Sequence, residues 1–199
     1  MAYPTVSAPY GLKPVNLIGG QVFAGATRNI PIASGYAVGI FNGDVVSLSS
    51  DGVIVKDTGT TTATPVGVFV GCSYTDPVLK YKLFSQQFPA NLVASDIQAI
   101  VVDDPDTLFK VAVVSGTTVI DGVGQTVVGN NMALVQNAGD TNTGDSKVAV
   151  LSSSAATTNT LPVRVIAGVP ETVDAAGDFT EVIVKWNWGM HQYQNATGV

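Results

Sequence analysis

Short valine-rich segments, separated by clusters of turn residues, recur through most of the 199-residue chain. Segments such as GVIV, VGVFVGC, IQAIVV, LFKVAVV, KVAVLS and TEVIVKW have the length and the β-branched content of strands. The clusters between them, such as DDPD, SGTT, GNN and AGDTNTGD, supply the Asp, Gly, Asn and Pro that tight turns require. Strands that recur about every ten residues are typical of a β-sandwich or β-barrel. The sequence therefore predicts a mainly β domain with little helix.

Residues 41–57, FNGDVVSLSSDGVIVKD, hold three aspartates and several hydroxyls, which is the composition of either a chemical site or a hairpin. Apolar and polar residues approximately alternate after Asp44, as on a strand with one buried face. The SSDG run then offers an Asp-Gly pair that can adopt the positive φ of a tight turn. We therefore predict a β-hairpin, with Asp44, Asp51 and Asp57 at the strand ends.

The chain divides by composition into an extended N-terminal arm (1–30), a β-rich body (31–185) and a polar C-terminal tail (186–199). Within the body, residues 77–96 fit either a short helix or an irregular excursion, because their apolar residues match both periods. The tryptophans of EVIVKWNW, Trp186 and Trp188, fall on one face of a strand. That face is expected to be core or, failing that, an interface.

The arm carries prolines at regular intervals, which disfavour a helix or a central strand. It also carries aromatic residues, which disordered segments usually lack. We therefore expect an extended segment that becomes ordered against a neighbouring protein. The expected partner-binding residues are Tyr3, Tyr10, Leu12 and Val15.

Charged residues make up only 12% of the chain, against roughly 25% in ordinary soluble domains, and the net charge is −6. No basic patch is present to displace counterions from phosphates, so nucleic-acid binding is not expected. No apolar run approaches the ~18–20 residues of a membrane span. The N-terminus lacks the pattern of a secretory signal, which favours folding in a cytoplasm. A surface poor in charge favours packing into a larger assembly.

The residues that usually carry chemistry are scarce. The one His, His191, lies in the tail and is expected to be solvated there, and the one Cys, Cys72, ends a strand and is expected in the core. The DTNTGDS loop departs from the calcium-loop pattern at three positions, and VDDPD reads as an ordinary turn start. We therefore predict no enzymatic activity, no cofactor and no metal site.

Two runs, NGDVVSL (42–48) and TPVGVFVGCSYTD (64–76), resemble the β-barrel core of the decoration, or cement, proteins of tailed-bacteriophage heads. The runs SAPYGLKPVN (7–16) and GYAVGIFNGDVV (35–46) are similar to small virion proteins of phages that infect marine and freshwater bacteria, cyanobacteria included. The resemblance covers about residues 1–185. That family has no catalytic residues to carry over to this chain.

The resemblance implies a protein made in the host cytoplasm that binds the outer surface of the expanded head. Its partners would be the major capsid protein and further copies of itself, commonly as a homotrimer. A tail or fibre adhesin, or a bacterial surface protein, shares the same β-rich and charge-poor composition. An enzyme built on aspartates is a third possibility, since two carboxylates distant in sequence can meet in a fold.

Overall fold

The computed structural model describes residues 6–199, which form thirteen β-strands and four short 3₁₀ turns and, within that range, no α-helix. The mainly β fold with little helix, predicted from the valine-rich segments, is confirmed. The strands are β1 Lys13–Leu17, β2 Arg28–Pro31, β3 Val45–Leu48, β4 Ile54–Lys56, β5 Gly67–Thr75, β6 Lys82–Ser85, β7 Gln98–Val102, β8 Thr107–Val114, β9 Asn131–Met132, β10 Leu134–Val135, β11 Ala149–Leu151, β12 Val163–Gly168 and β13 Glu181–Trp186.

The first sheet is barrel-like and nearly closed. Its seven strands follow the order β10-β11-β8-β13-β12-β9, with β1 paired to β8. The strands at the two ends of this path, β9 and β10, are separated in sequence only by Ala133, so a single bend of the chain brings the ends together. All pairings are antiparallel except that of β11 with β8. Closure of this kind leaves few unpaired sheet edges.

The second sheet has six strands in the order β2-β7-β5-β3-β4, with β6 paired to the far end of β5. A bridge between Ile32 and Ile54 joins the two outer strands of this path. Successive residues of β3 and β5 point to opposite faces, so Val45 and Val68 enter one buried cluster, the first core, while Val46 and Phe69 enter a second core. These two strands therefore tie the two hydrophobic cores into one body.

The hairpin predicted for residues 41–57 is present as β3 and β4, with Gly52 in its turn at φ +73°. Asp44 lies at a strand end as predicted, directly before β3, and it is fully buried there. Its carboxylate accepts hydrogen bonds from Lys56 Nζ (2.7 Å), Ser146 Oγ (2.6 Å) and the Phe41 backbone N–H (2.9 Å). Asp44 therefore links the hairpin to a loop far along the sequence.

The arm joins the body through buried Leu12 and through strands β1 and β2, which corrects the expectation that Leu12 is ordered only against a neighbouring protein. Strand β1 pairs only with β8 and therefore forms an edge of the first sheet. Pro14, which has no backbone N–H, is tolerated on such an edge strand. Leu12 is 0% exposed within the first core, so it is not available to a partner protein. The backbone N–H of Leu12 donates to the carbonyl of Gly43 at 3.0 Å.

Residues 77–96 contain no helix; they hold strand β6 and the turns on either side of it. The apolar residues matched both a helical period and the alternation of a strand, and the strand alternation of residues 80–84 is the one that the structure shows. Strand β6 pairs with residues 72–75 of β5, so the segment extends the hairpin that β5 begins.

The predicted tail, residues 186–199, is folded across the body. A turn with Gly189 at φ +85° follows β13 and reverses the chain, after which the Gln192 N–H donates to the Pro65 carbonyl (3.0 Å). His191 is 0% exposed, so the prediction that it is solvated is wrong. The tryptophan pair also separates, because β13 ends at Trp186: Trp186 packs in the first core, whereas Trp188 is 75% exposed.

Candidate interaction surface

The β5–β6 hairpin presents a concentration of exposed apolar side chains, which we call the apolar hairpin (residues 76–85). Val78, Leu79, Tyr81 and Phe84 are exposed by 80%, 60%, 51% and 78%, and Val93 beside them by 66%. Single exposed apolar residues are ordinary on protein surfaces, but a contiguous group of large ones marks an interaction site. The apolar hairpin is therefore the strongest candidate interface in the described residues.

The tip of the apolar hairpin is held in one conformation by Asp76. Its Oδ1 accepts hydrogen bonds from the backbone N–H groups of Val78 (2.8 Å) and Leu79 (2.7 Å). The Asp76 N–H donates to the Tyr81 carbonyl at 3.0 Å, and Lys80 takes the left-handed conformation, φ +62°, that closes the turn. A surface ordered in advance loses less conformational entropy when it binds.

A second carboxylate, Asp96, anchors the base of the apolar hairpin. It accepts hydrogen bonds from Lys82 Nζ (2.8 Å), Thr75 N–H (2.9 Å) and Thr75 Oγ1 (2.8 Å). The Lys82 ammonium, followed by the two Thr75 donors, holds the pKa of Asp96 well below its usual range. Strand β6 is thereby fixed at its start to the loop that precedes β7.

A broad open cleft of about 1010 Å³ lies beside β10 and strand β4. Its size is at the upper end of the roughly 300–1,000 Å³ typical of ligand pockets. Apolar side chains dominate its wall, among them Val38, Leu134, Val135 and Leu151. Its one charged lining residue is Lys56, whose ammonium lies 2.7 Å from Asp44 Oδ2. The cleft therefore exposes no uncompensated charge of its own.

The partner-binding residues predicted from the sequence do not come together in one surface. Tyr3 lies outside the described residues, and Leu12 is in the core. The Tyr10 hydroxyl donates to Glu181, and Lys110 Nζ lies 3.3 Å from the same carboxylate and 5.6 Å from the Tyr10 ring centroid. Burial and the adjacent Glu181 raise the pKa of Tyr10. Val15 is half-buried at an irregularity in β1, so Val15 and Tyr10 remain predicted contacts without a common patch.

Sequence reasoning missed the apolar hairpin as a site. The available signal was the run VLKYKLF (78–84), which has five large apolar residues and only lysines between them. On a strand one alternate face of that run would be buried, but both faces of β6 retain apolar residues, and Phe84 points to solvent. The exposure of Phe84 becomes clear only from the pairing of β6 with the end of β5, where no other element covers that face.

Most of the aspartates that suggested chemistry form ion pairs or hydrogen bonds within the fold. Asp103 pairs with Arg28 (2.8 Å), and Asp106 pairs with Lys185 (3.2 Å). In the DTNTGDS loop, Asp140 accepts from the Asn142 N–H (2.9 Å), and Asp145 lies 3.3 Å from Lys13 Nζ. Among residues 6–199, no group of three His, Cys, Asp or Glu side chains is arranged to hold a metal ion. In the same range no helix is long and apolar enough to cross a bilayer.

Cys72 and His191 are both buried. Burial raises the pKa of the Cys72 thiol to about 12, so the thiolate that nucleophilic chemistry needs is disfavoured. The His191 ring packs against Tyr193, with ring centroids 5.2 Å apart. Burial lowers the pKa of His191, although the nearby Asp103 acts in the opposite direction. The folded protein therefore favours the neutral imidazole.

We expect the stability of the protein to fall between pH 7 and pH 5 because of His191. The unfolded chain binds a proton near the ordinary pKa of about 6.5, whereas the folded chain with its lowered pKa resists protonation. The contribution of neutral His191 to the free energy of unfolding is therefore fully present above pH 6.5. It is lost as the pH falls, by about 1.4 kcal/mol for each unit of difference between the folded and unfolded pKa values. Urea unfolding of the wild type and of His191→Phe at both pH values measures this.

The His191→Phe variant should unfold with a smaller difference between the two pH values, whatever its stability at pH 7. Because the chain has one His, the variant removes the only side chain with an ordinary pKa in that window. Equal pH dependence in the two proteins would contradict the assignment.

The described residues thus offer two separate features suited to binding: an apolar hairpin held by hydrogen bonds and an open apolar cleft. Comparison of the chain with protein-family models, with curated proteins and with solved structures found no match.

Proposed function

We propose that this chain is a non-enzymatic structural protein of a tailed-phage virion that binds the outside of the assembled head and stabilises its lattice. Its partners are the major capsid protein and further copies of itself. The observation that carries the proposal is the apolar hairpin, a rigid surface whose large side chains are suited to being covered by another protein.

The distribution of charge supports an assembly role. Seven of the nine Lys and Arg side chains form ion pairs with carboxylates of the same chain. The remaining two, Lys80 and Arg164, have no carboxylate within 4 Å among the described residues. A surface with so few free cations and so little charge overall opposes close association only weakly.

Stabilisation of a head by such a protein follows from binding linkage. A protein that binds the assembled lattice but not dispersed subunits favours the assembled state, by about 2.7 kcal/mol per site when its free concentration is 100 times Kd. The symmetry of a shell repeats each contact many times. The resemblance of residues 42–48 and 64–76 to decoration proteins points to the same role.

The test is to add the purified protein to undecorated heads of the phage that encodes it and to measure occupancy and heat resistance. We expect saturable binding, in a copy number that approaches that of the major capsid protein, and a higher temperature of head disruption. No binding would contradict the proposal. Attachment in only a few copies, without protection, would favour the tail or fibre alternative.

A further inference from the structure

We propose that residues 189–194, which we call the strap, form a pH-sensitive element that detaches from the body when His191 takes up a proton. Detachment leaves the two sheets intact, so it is distinct from the loss of overall stability expected for His191. It is a property of the isolated chain and does not depend on the virion role. The strap combines a glycine hinge, few anchoring contacts and a buried imidazole without a free counter-ion.

The hinge lies between β13 and the buried part of the strap. After β13 the chain reverses through a turn in which the Met190 N–H donates to the Asn187 carbonyl at 3.1 Å. Gly189 in this turn has φ +85°, and a Cβ at its position would meet nothing within 4 Å. Asn187 is fixed to the body, because its Nδ2 donates to the Leu161 carbonyl at 3.0 Å. The strap can therefore move without disturbing β13.

The hydrogen bonds between the strap and the body, within the described part of the chain, all involve Gln192. Its N–H donates to the Pro65 carbonyl (3.0 Å), its Oε1 accepts from the Leu48 N–H (2.7 Å), and its Nε2 donates to the Leu48 carbonyl (3.3 Å). The guanidinium carbon of Arg28 lies 5.4 Å from the ring centroid of Tyr193. A segment with so few anchors can open while the sheets remain folded.

His191 is the buried side chain of the strap. It is 0% exposed, and its ring packs against Tyr193, whose hydroxyl stays protonated because burial raises its pKa. Neither ring nitrogen of His191 has a hydrogen-bond partner among residues 6–199. Burial lowers the pKa of His191, against the opposing effect of the backbone groups of Val66 and Asp103. The site therefore suits a neutral imidazole, because an imidazolium would lose its hydration without gaining a partner.

The charged groups around the imidazole are already paired with one another. Asp103, in the loop after β7, lies 2.8 Å from Arg28 Nε on β2. Asp106, in the same loop, lies 3.2 Å from Lys185 Nζ on β13. Residues 58–66, which precede β5, carry no charged side chain, and neither does β3. An imidazolium in this place would share the Asp103 carboxylate with Arg28 and would be repelled by Lys185.

Protonation therefore shifts the strap toward the detached state, in which water solvates the imidazolium. The detached imidazole titrates near the ordinary pKa of about 6.5, whereas the docked one resists protonation. Docking is accordingly at full strength above pH 6.5 and weakens as the pH falls. Between pH 7 and pH 5 the ratio of detached to docked strap rises by up to about 25-fold. Detachment also frees the N–H and the carbonyl of Leu48 for another chain.

Hydrogen-exchange mass spectrometry of the full chain at pH 7 and pH 5, with rates corrected for the intrinsic effect of pH, measures detachment. We expect the protection of residues 189–199 to fall between the two pH values by up to about 25-fold. Small additions of urea separate local from global opening, because global opening exposes far more surface. The exchange of the strap should be insensitive to these additions, whereas the exchange of β8 should rise.

Two variants assign the response to the imidazole. His191→Phe keeps an aromatic ring in the strap but takes up no proton, so its strap should be equally protected at both pH values. Tyr193→Phe, the matched control, removes the other titratable side chain of the strap and should retain the wild-type fall in protection. His191→Met replaces His191→Phe if the strap of that variant is unprotected at pH 7.

Three results would overturn the inference. The first is a wild-type strap with the same protection at pH 7 and pH 5. The second is a strap whose exchange responds to urea as steeply as that of β8, because it would then open only when the whole chain unfolds. The third is a variant without His191 that loses protection at pH 5 as the wild type does. None of these results bears on binding to heads, so the virion role stands or falls separately.

Discussion

Replacing Leu12 by alanine is expected to lower the free energy of unfolding by about 2–5 kcal/mol. The side chain is 0% exposed and packs in the first core with residues of β3, β5 and β8. Truncation removes buried methyl groups and leaves a cavity that the surrounding strands fill only in part. The loss would be a large share of the 5–15 kcal/mol that stabilises a typical domain.

The measurement is equilibrium unfolding in urea, with Val15→Ala as the matched control. Val15 is in the same segment but is half-buried on the edge strand β1, so its truncation is expected to cost about 1 kcal/mol or less. If the two variants were equally stable, the segment around Leu12 would not belong to the core. Deletion of residues 2–15, which also removes Leu12, is expected to damage the fold rather than only weaken attachment to a partner.

Replacing Asp44 by alanine is the second change with a large expected effect, about 3–5 kcal/mol of unfolding free energy. The buried carboxylate accepts hydrogen bonds from Lys56 Nζ, Ser146 Oγ and the Phe41 N–H. Removing it leaves the Lys56 ammonium, whose side chain is only 10% exposed, without its counter-ion. An uncompensated charge in such a place costs far more than the pair itself contributes.

Asp51→Ala in the turn of the same hairpin is the control for Asp44→Ala. Its side chain is exposed and forms no ion pair within the described residues, so the change should stay within about 0.5 kcal/mol of the wild type. Thermal unfolding of the two variants side by side measures the difference. Equal stability would mean that the ion pair of Asp44 with Lys56 does not contribute to the fold.

The local parts of the fold were predictable because their causes lie within a few residues of each other. The alternation in residues 44–48 and the Asp-Gly turn at 51–52 together specify the β3–β4 hairpin, and both are visible in the sequence. The continuous apolar run of β5 likewise reflects burial on both of its faces. The mainly β content and the scarcity of helix follow from these patterns.

The parts that were predicted wrongly depend on contacts between distant segments. Leu12 reaches the core because Gly11, at φ +80°, lets the chain pass close to Gly43 and Ser146. A Cβ at position 11 would lie 2.7 Å from Ser146 Cβ. The residues next to Gly11 in the sequence give no sign of this contact with a segment more than 100 residues away. The burial of His191 similarly depends on the turn at Gly189 and on the docking of Gln192 against Pro65.

The candidate site was the least predictable element, because exposure of apolar residues is a property of the whole fold. The run of residues 78–84 would suit a buried strand equally well, and only the position of β6 at the free end of β5 leaves its side chains in solvent. The cleft is assembled from β10, the loop after β8 and the loop after β4, and it has no sequence pattern of its own.

The most direct test of the proposed virion role is an image, at subunit resolution, of tailed-phage heads assembled in the presence of this chain. We expect the two-sheet body on the outer surface of the shell, in a copy number close to that of the major capsid protein. We also expect the apolar hairpin of each copy to be covered by a neighbouring protein of the shell. Heads that carry no density for this fold, or a chain found only in the tail, would contradict it.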